Sequence, residues 1–272
     1  MVLELKKEDL VDLGLHNKNG VVFAASRGLG KGAALALAAE GCRVAICARN
    51  EEELHKTAKE IAAATSADVF TQVVDVKEKA QIENFISIVA QKWGGVDILV
   101  TNAGGPPVKS FDQTNDEEWH YWYDVTFMSV VRAIKAALPY MKQNKWGRII
   151  NITSISVKMP IENLIYSNSL RLAVVGLAKS LSMELGTFGI TVNNVAPGHH
   201  LTEGLERIIK KKVEAGTPRE EVLEQWIGHT PMRRLGQPQD LANMIAFLSS
   251  DKAGFISGAT IQVDGGQYAG SL

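Results

Sequence analysis

The sequence predicts a doubly wound α/β fold, a mainly parallel sheet with helices on both faces. Three observations predict it. Short apolar, β-branched runs alternate with helical patterns, the signature of βαβ units. The runs carry little polar alternation, as strands covered on both faces do. The first run ends in a glycine-rich turn that opens a helix, Ser26-Arg27-Gly28-Leu29-Gly30.

The first strand is the run Gly20 to Ala25, and an Ala/Leu-rich helix follows the turn as far as Glu40. Gly41 ends that helix, and Arg43 to Cys47 forms the second buried strand. A polar helix near Glu51–Ala64 leads to a strand over Val69–Val74, and a helix over Ala80–Trp93 leads to a strand over Asp97–Thr101. One long helical stretch from Asp116 to Gln143 precedes the fifth strand, Arg148–Thr153. A helix near Ser167–Thr187 precedes the sixth, Thr191–Val195.

No linker, low-complexity tract or repeat divides residues 1–272, so one domain is expected. The segment from about 203 to 229 breaks the rhythm. Leu205, Ile208, Ile209 and Val213, then Val222, Leu223, Trp226 and Ile227, are spaced for two short amphipathic helices among dense charge. Such an insert reads either as a lid over a ligand or as a solvated excursion.

Hydrophobic residues make up 46% of the 272 and charged residues 22%, the balance of a globular chain and not of a disordered one. Lys plus Arg number 29 against 30 Asp plus Glu, and without a basic surplus nucleic acid is not an expected partner. The N-terminal MVLELKKEDL lacks the apolar stretch of a signal peptide, and no run of about eighteen apolar residues could span a membrane. Cys42 and Cys47 cannot build a disulfide framework and have no metal-ligand spacing. A cytoplasmic protein without a metal is the expectation.

The chemistry begins at the first turn. Glycines at a strand-to-helix junction let the backbone approach a pyrophosphate, and the free N–H groups and dipole of the helix start favour its charge. The second strand ends Cys47-Ala48-Arg49-Asn50, with no carboxylate before Glu51 to hold a ribose 2′-hydroxyl. Ser26, Arg27 and Arg49 instead offer donors suited to a 2′-phosphate, which favours NADP(H) over NAD(H). Two solvated arginines are the plainer alternative.

With these motifs in order, the chain resembles the short-chain dehydrogenase/reductase family, and within it members of the 3-oxoacyl carrier-protein reductase type. The family turn reads T-G-x-x-x-G-x-G; here Phe23 and Ala24 stand in place of the Thr and the first Gly, ahead of Gly28 and Gly30. The likeness runs from about Asp12 through Asp75-Val76, Asn102-Ala103-Gly104, Asn194-Val195-Ala196-Pro197-Gly198, Phe255-Ile256-Ser257-Gly258 and Val263-Asp264-Gly265-Gly266. It implies a Rossmann-type sheet, a cofactor cradled by Ala24 through Gly30 with Leu29, and adenine against Asp75 and Val76. It also implies that Asn102, Ala103 and Gly104 back the cofactor and that Pro197, Gly198 and Thr202 meet its nicotinamide end. The substrate is then a small carbonyl or alcohol. The two long helices would pair between subunits, giving a homodimer or homotetramer. Ala24 adds a Cβ near the pyrophosphate, tightening the turn.

Catalysis is where the pattern departs. The family uses Asn, Ser, Tyr and Lys, with Tyr thirteen residues after Ser and Lys four residues later. Ser154 fits the serine, but Ser167 stands at the tyrosine position, Arg171 at the lysine and Thr126 at the asparagine. An aliphatic hydroxyl is a far weaker acid than a phenol near pKa 10. The proton donor is left open between Tyr166, swinging inward if the helix starts only at Ser167, and a water or substrate group relayed through Ser167. A catalytically silent dinucleotide-binding protein, sensing redox ratio or serving assembly, is the alternative function. His199 and His200 titrate near neutrality and are further candidates. Trp119, Trp122 and Tyr123 read as core or subunit interface, with a substrate box as the alternative, and His229 as a loop residue.

Overall fold

Seven parallel strands form one sheet in the order β3-β2-β1-β4-β5-β6-β7. They are β1 (Asn19–Val22), β2 (Arg43–Ala48), β3 (Val69–Val73), β4 (Ile98–Thr101), β5 (Gly147–Ile152), β6 (Ile190–Pro197) and β7 (Thr260–Val263). The computed structural model describes residues 12–271; the charged stretch Met1–Leu10 lies outside them. The strand order reverses between β1 and β4, which opens a crevice at the carboxyl ends of the strands.

Alternation within each strand supplies both faces of the core. Val21, Ala45, Leu99, Ile149 and Val192 face one layer and pack with Phe85, Ile134 and Val174. Their neighbours Val22, Ile46, Ile98, Val100 and Ile150 face the other and pack with Leu37, Leu241 and Ile245. The helices are α1 (Gly28–Ala39), α2 (Glu51–Thr65), α3 (Lys79–Trp93), α4 (Asp116–Tyr123), α5 (Ser129–Asn144), α6 (Ile165–Leu185), α7 (Glu203–Glu214), α8 (Arg219–Ile227) and α9 (Pro238–Leu248). Asn50 caps α2 by accepting from the Glu53 N–H at 2.8 Å, and Glu51, Glu52 and Glu53 complement its dipole. A row of polar side chains, buried except at Thr260, ties β4 through β7: Thr101 donates to Asn151 (2.7 Å), Asn151 to Asn194 (3.0 Å), and Asn194 to Thr260 (3.1 Å).

Three local features depart from the sequence reading. The stretch from Asp116 to Gln143 is not one helix; a π-helical turn over Asp124–Met128 separates α4 from α5. Ser129 bonds back to the Val125 carbonyl at 2.6 Å within that widened turn. Helix α6 begins at Ile165, so Tyr166 lies in its first turn and not on a loop before it. β7 goes unrecognised by periodicity because it is four half-buried residues long. The charged insert folds into α7 and α8, joined by an ion pair between Glu206 and Arg219 at 2.7 Å.

Candidate active site

A cleft of about 790 Å³ occupies the crevice. Its floor is the first βα turn, and the geometry there is set by close backbone approach. Asn102 donates to the Ala24 carbonyl at 3.2 Å. A Cβ on Gly30 would lie 2.5 Å from that carbonyl oxygen and 2.9 Å from the Asn102 amide, so the position admits only glycine. Ala24 itself has φ 47°, the left-handed region that a Cβ makes costly by about 1–2 kcal/mol. It is held there because Phe23 and Ala25 donate on either side to Val100 and Cys47, each at 3.0 Å.

Helix α1 starts without a cap. Arg27, the residue before it, makes no side-chain capping bond, and no acid lies in the first turn. The N–H groups of that turn are therefore available to an anion. Arg27 and Arg49 are exposed, line the cleft, and pair with no carboxylate among the described residues. Thr57 pins the turn to α2 by donating to the Ser26 carbonyl at 2.6 Å. Asp75 and Val76 line the cleft beyond β3, and Asn102, Ala103 and Gly104 line it beyond β4. Ser26, Gly28, Leu29 and Thr202 border it as well. Pro197 ends β6, and Gly198 donates to Val263 at 3.0 Å, with no room for a Cβ beside Asp264. Neither of these two lines the cleft.

At the other end, Ser154 follows β5 and is half-buried, its Oγ accepting from the Ser156 N–H at 3.1 Å. The Ser167 hydroxyl is buried and lies 3.1 Å from the Ser156 hydroxyl. Arg171, one turn along α6, lines the cleft and donates to the Ile152 carbonyl at 3.0 Å. Burial pushes its pKa down to about 10, still well above neutrality. Thr126 lies in the π-helical turn, its hydroxyl buried and without a partner. Ser156 was not singled out in the sequence; a hydroxyl two residues after Ser154 is its one visible signal.

Tyr166 points elsewhere. It is fully buried, packs edge-on against Trp119 at 4.7 Å, and donates its hydroxyl to Glu118 at 2.8 Å. Lys109 grips the same carboxylate at 2.6 Å, and its backbone N–H donates to Asn163 just before α6. The Lys109 ammonium holds Glu118 below the usual carboxylate range, while burial and Glu118 raise the Tyr166 phenol. No sequence pattern announces this partner, which lies 48 residues away.

Trp119 is packing, but Trp122, read from the sequence as core or interface, lines the cleft with Tyr121; Tyr123 is exposed near Phe127. His200 is buried, with Nδ1 3.1 Å from the Gly198 carbonyl and its ring against Gly236. His199 lies 6.2 Å from the Trp226 ring. Burial lowers the pKa of both, so each is mainly neutral at pH 7. Burial raises the pKa of Cys42 to about 12 and that of Cys47 further still, leaving both thiols inert. No helix among the described residues is long and apolar enough to cross a membrane, and none of their His, Cys, Asp and Glu side chains group as a metal site.

In sequence and fold the chain is similar to known reductases. A family described as Enoyl-(Acyl carrier protein) reductase matches residues 23–267. The 3-oxoacyl-(acyl-carrier-protein) reductase of Staphylococcus aureus is 34% identical over 251 residues, 92% of this chain and 98% of that protein. Its namesake in Escherichia coli is 34% identical over 256 residues, 94% and 99% of the two chains. The L-sorbose reductase of Gluconobacter frateurii, solved with NADPH and L-sorbose, superposes with a TM-score of 0.93 at 28% identity, covering 96% of this chain and 100% of that one. An actinorhodin polyketide ketoreductase solved with NADPH has a TM-score of 0.87 at 31% identity, covering 92% and 97%.

Proposed function

The chain belongs to the short-chain dehydrogenase/reductase family, and on that premise we propose that it is an NADP(H)-dependent oxidoreductase that interconverts a carbonyl and an alcohol. The observation that carries the cofactor reading is the first βα turn. Its glycine cradle, its uncapped helix start and two unpaired arginines are complementary to a diphosphate and a 2′-phosphate. Reductases of the same fold solved with NADPH support it.

When bound, the nicotinamide supplies the hydride. The chain's own residues do the rest. Arg27, Arg49 and Ser26 hold the 2′-phosphate, and the first N–H groups of α1 hold the diphosphate. Asp75 and Val76 border the adenine; Asn102, Ala103 and Gly104 back the ring system; Thr202, with Pro197 and Gly198 behind it, meets the nicotinamide end. Ser154 donates to the substrate oxygen on which negative charge develops, a role typically worth a few kcal/mol. Arg171 keeps a fixed positive charge beside that oxygen and the cofactor ribose. Because it does not deprotonate in the working range, the pH profile lacks the limb that a titrating lysine would give.

The proton reaches the oxygen through water held by Ser167 and Ser156, since the Tyr166 hydroxyl is already committed to Glu118. The partnerless Thr126 hydroxyl is where ordered water would also be held. On α6, Leu172 and Met183 are exposed apolar residues, 51% and 79% accessible, suited to pairing in a homodimer or homotetramer.

The test is NADPH consumption across ketones, sugars and acyl thioesters. Turnover of at least one class supports the proposal. Tight NADPH binding without turnover anywhere in the panel favours a catalytically silent dinucleotide-binding protein, the reading suggested by Ser167 and Arg171.

A further inference from the structure

Arg171 is the one cleft-lining cation that is both half-buried and set among uncharged neighbours of the β5 end. It makes a single hydrogen bond, to the carbonyl of Ile152 at 3.0 Å, and pairs with no carboxylate among the described residues. Arg27 and Arg49 stand at the β2 end of the cleft and are exposed, and Arg207 is exposed on α7. Burying a guanidinium without a counter-ion is costly, and a neutral ribose brings hydroxyls but no charge. On α6 no phenol faces it, because Ser167 stands one turn before it and the Tyr166 hydroxyl is taken by Glu118.

Resting on the oxidoreductase reading, we propose that Arg171 is a substrate anchor that selects carbonyl compounds bearing a carboxylate one or two carbons from the reacting carbon, that is, 2-oxo or 3-oxo acids and the matching hydroxy acids. The guanidinium fork has N–H donors left after Ile152 is satisfied, and a carboxylate accepts two of them in parallel. Ile152 and Ser154 are two extended residues apart, about 6.6 Å along the chain, with Ser154 at φ −161° and ψ 154°. A short oxo acid with a hydrogen bond at each end spans that step, its carboxylate on Arg171 and its carbonyl oxygen on Ser154. The depressed but still alkaline pKa of Arg171 is in keeping with a charged group waiting for an anion.

The experiment is calorimetry of the NADPH-loaded full chain with oxamate, an unreactive carboxylate isosteric with a 2-oxo acid, and with its neutral counterpart oxamide. Oxamate is expected to bind, and oxamide to bind about tenfold or more weakly. Arg171→Gln is expected to remove that preference, and Arg171→Lys, which keeps the charge, to restore part of it. The affinity for oxamate is expected to stay level between about pH 6 and pH 8, where an arginine does not titrate. NADPH binding with equal or no affinity for oxamate and oxamide overturns the anchor and leaves the cofactor reading standing. A preference for oxamate that survives in Arg171→Gln likewise overturns it. Failure of NADPH itself to bind overturns the oxidoreductase reading and the anchor with it.

Discussion

The two ends of the cleft are built by different means. The end proposed to hold the cofactor is built on backbone: a carbonyl that Asn102 holds, a glycine with no room for a Cβ, and helix N–H groups left uncapped. The proposed catalytic end is made of side chains, those of Ser154, Ser167, Arg171 and Thr126, and it offers aliphatic hydroxyls and a guanidinium instead of a phenol. Backbone geometry tolerates a change such as Gly to Ala at position 24, at a cost in strain. Proton chemistry does not tolerate a change from phenol to aliphatic hydroxyl without another route for the proton. The two ends therefore answer to different constraints, steric at the turn and chemical at the serines.

Breaking the cofactor end should have the largest effect. Gly30→Val forces atoms against the Ala24 carbonyl and Asn102, and is expected to cost about 3 kcal/mol of stability and to abolish NADPH binding, read by urea denaturation and calorimetry. At the catalytic end, Ser154→Ala is expected to lower kcat about 100-fold on any substrate turned over, while Tyr166→Phe leaves kcat within about threefold. Steady-state kinetics of the pair decides it; an equal loss in both would put Tyr166 back in the proton path.

Much of this comparison was legible in the sequence. Strands β1 to β6 follow from continuous apolar runs, and the glycine turn from its place after the first of them. What escaped has physical reasons. The π-helical turn over Asp124–Met128 contains no Gly or Pro to interrupt the helical pattern, so no breaker residue marks it. The start of α6 has no Ser, Thr or Asp cap; Leu164 precedes it with no side-chain bond. The pairing of Tyr166 with Glu118 and Lys109 is long-range, and the contact between Ser156 and Ser167 depends on how a short 3₁₀ turn folds after β5.

Smaller effects sharpen the contrast. Ala24→Gly relieves the left-handed strain and is expected to raise stability by about 1 kcal/mol without weakening NADPH binding, measured by thermal denaturation and calorimetry. The tether of Tyr166 should respond to acid. Because the folded chain lowers the Glu118 pKa below its ordinary 4.5, the stabilisation is complete above that value and is lost as pH falls through the lowered one. Glu118→Gln is therefore expected to be less stable than the parent chain at pH 7, the gap closing toward pH 3, in parallel denaturation series. A gap that stays constant with pH would mean that Glu118 acts by shape alone.

The central claim, that the backbone-built end of the cleft holds NADP(H), is tested most directly by calorimetric titration with NADPH and NADH side by side, on the parent chain and on Arg49→Ala. The 2′-phosphate held by Arg27 and Arg49 predicts NADPH binding tighter than NADH by about tenfold or more, with most of that preference lost in Arg49→Ala. Equal affinity for the two cofactors, or a preference unchanged in Arg49→Ala, would contradict it.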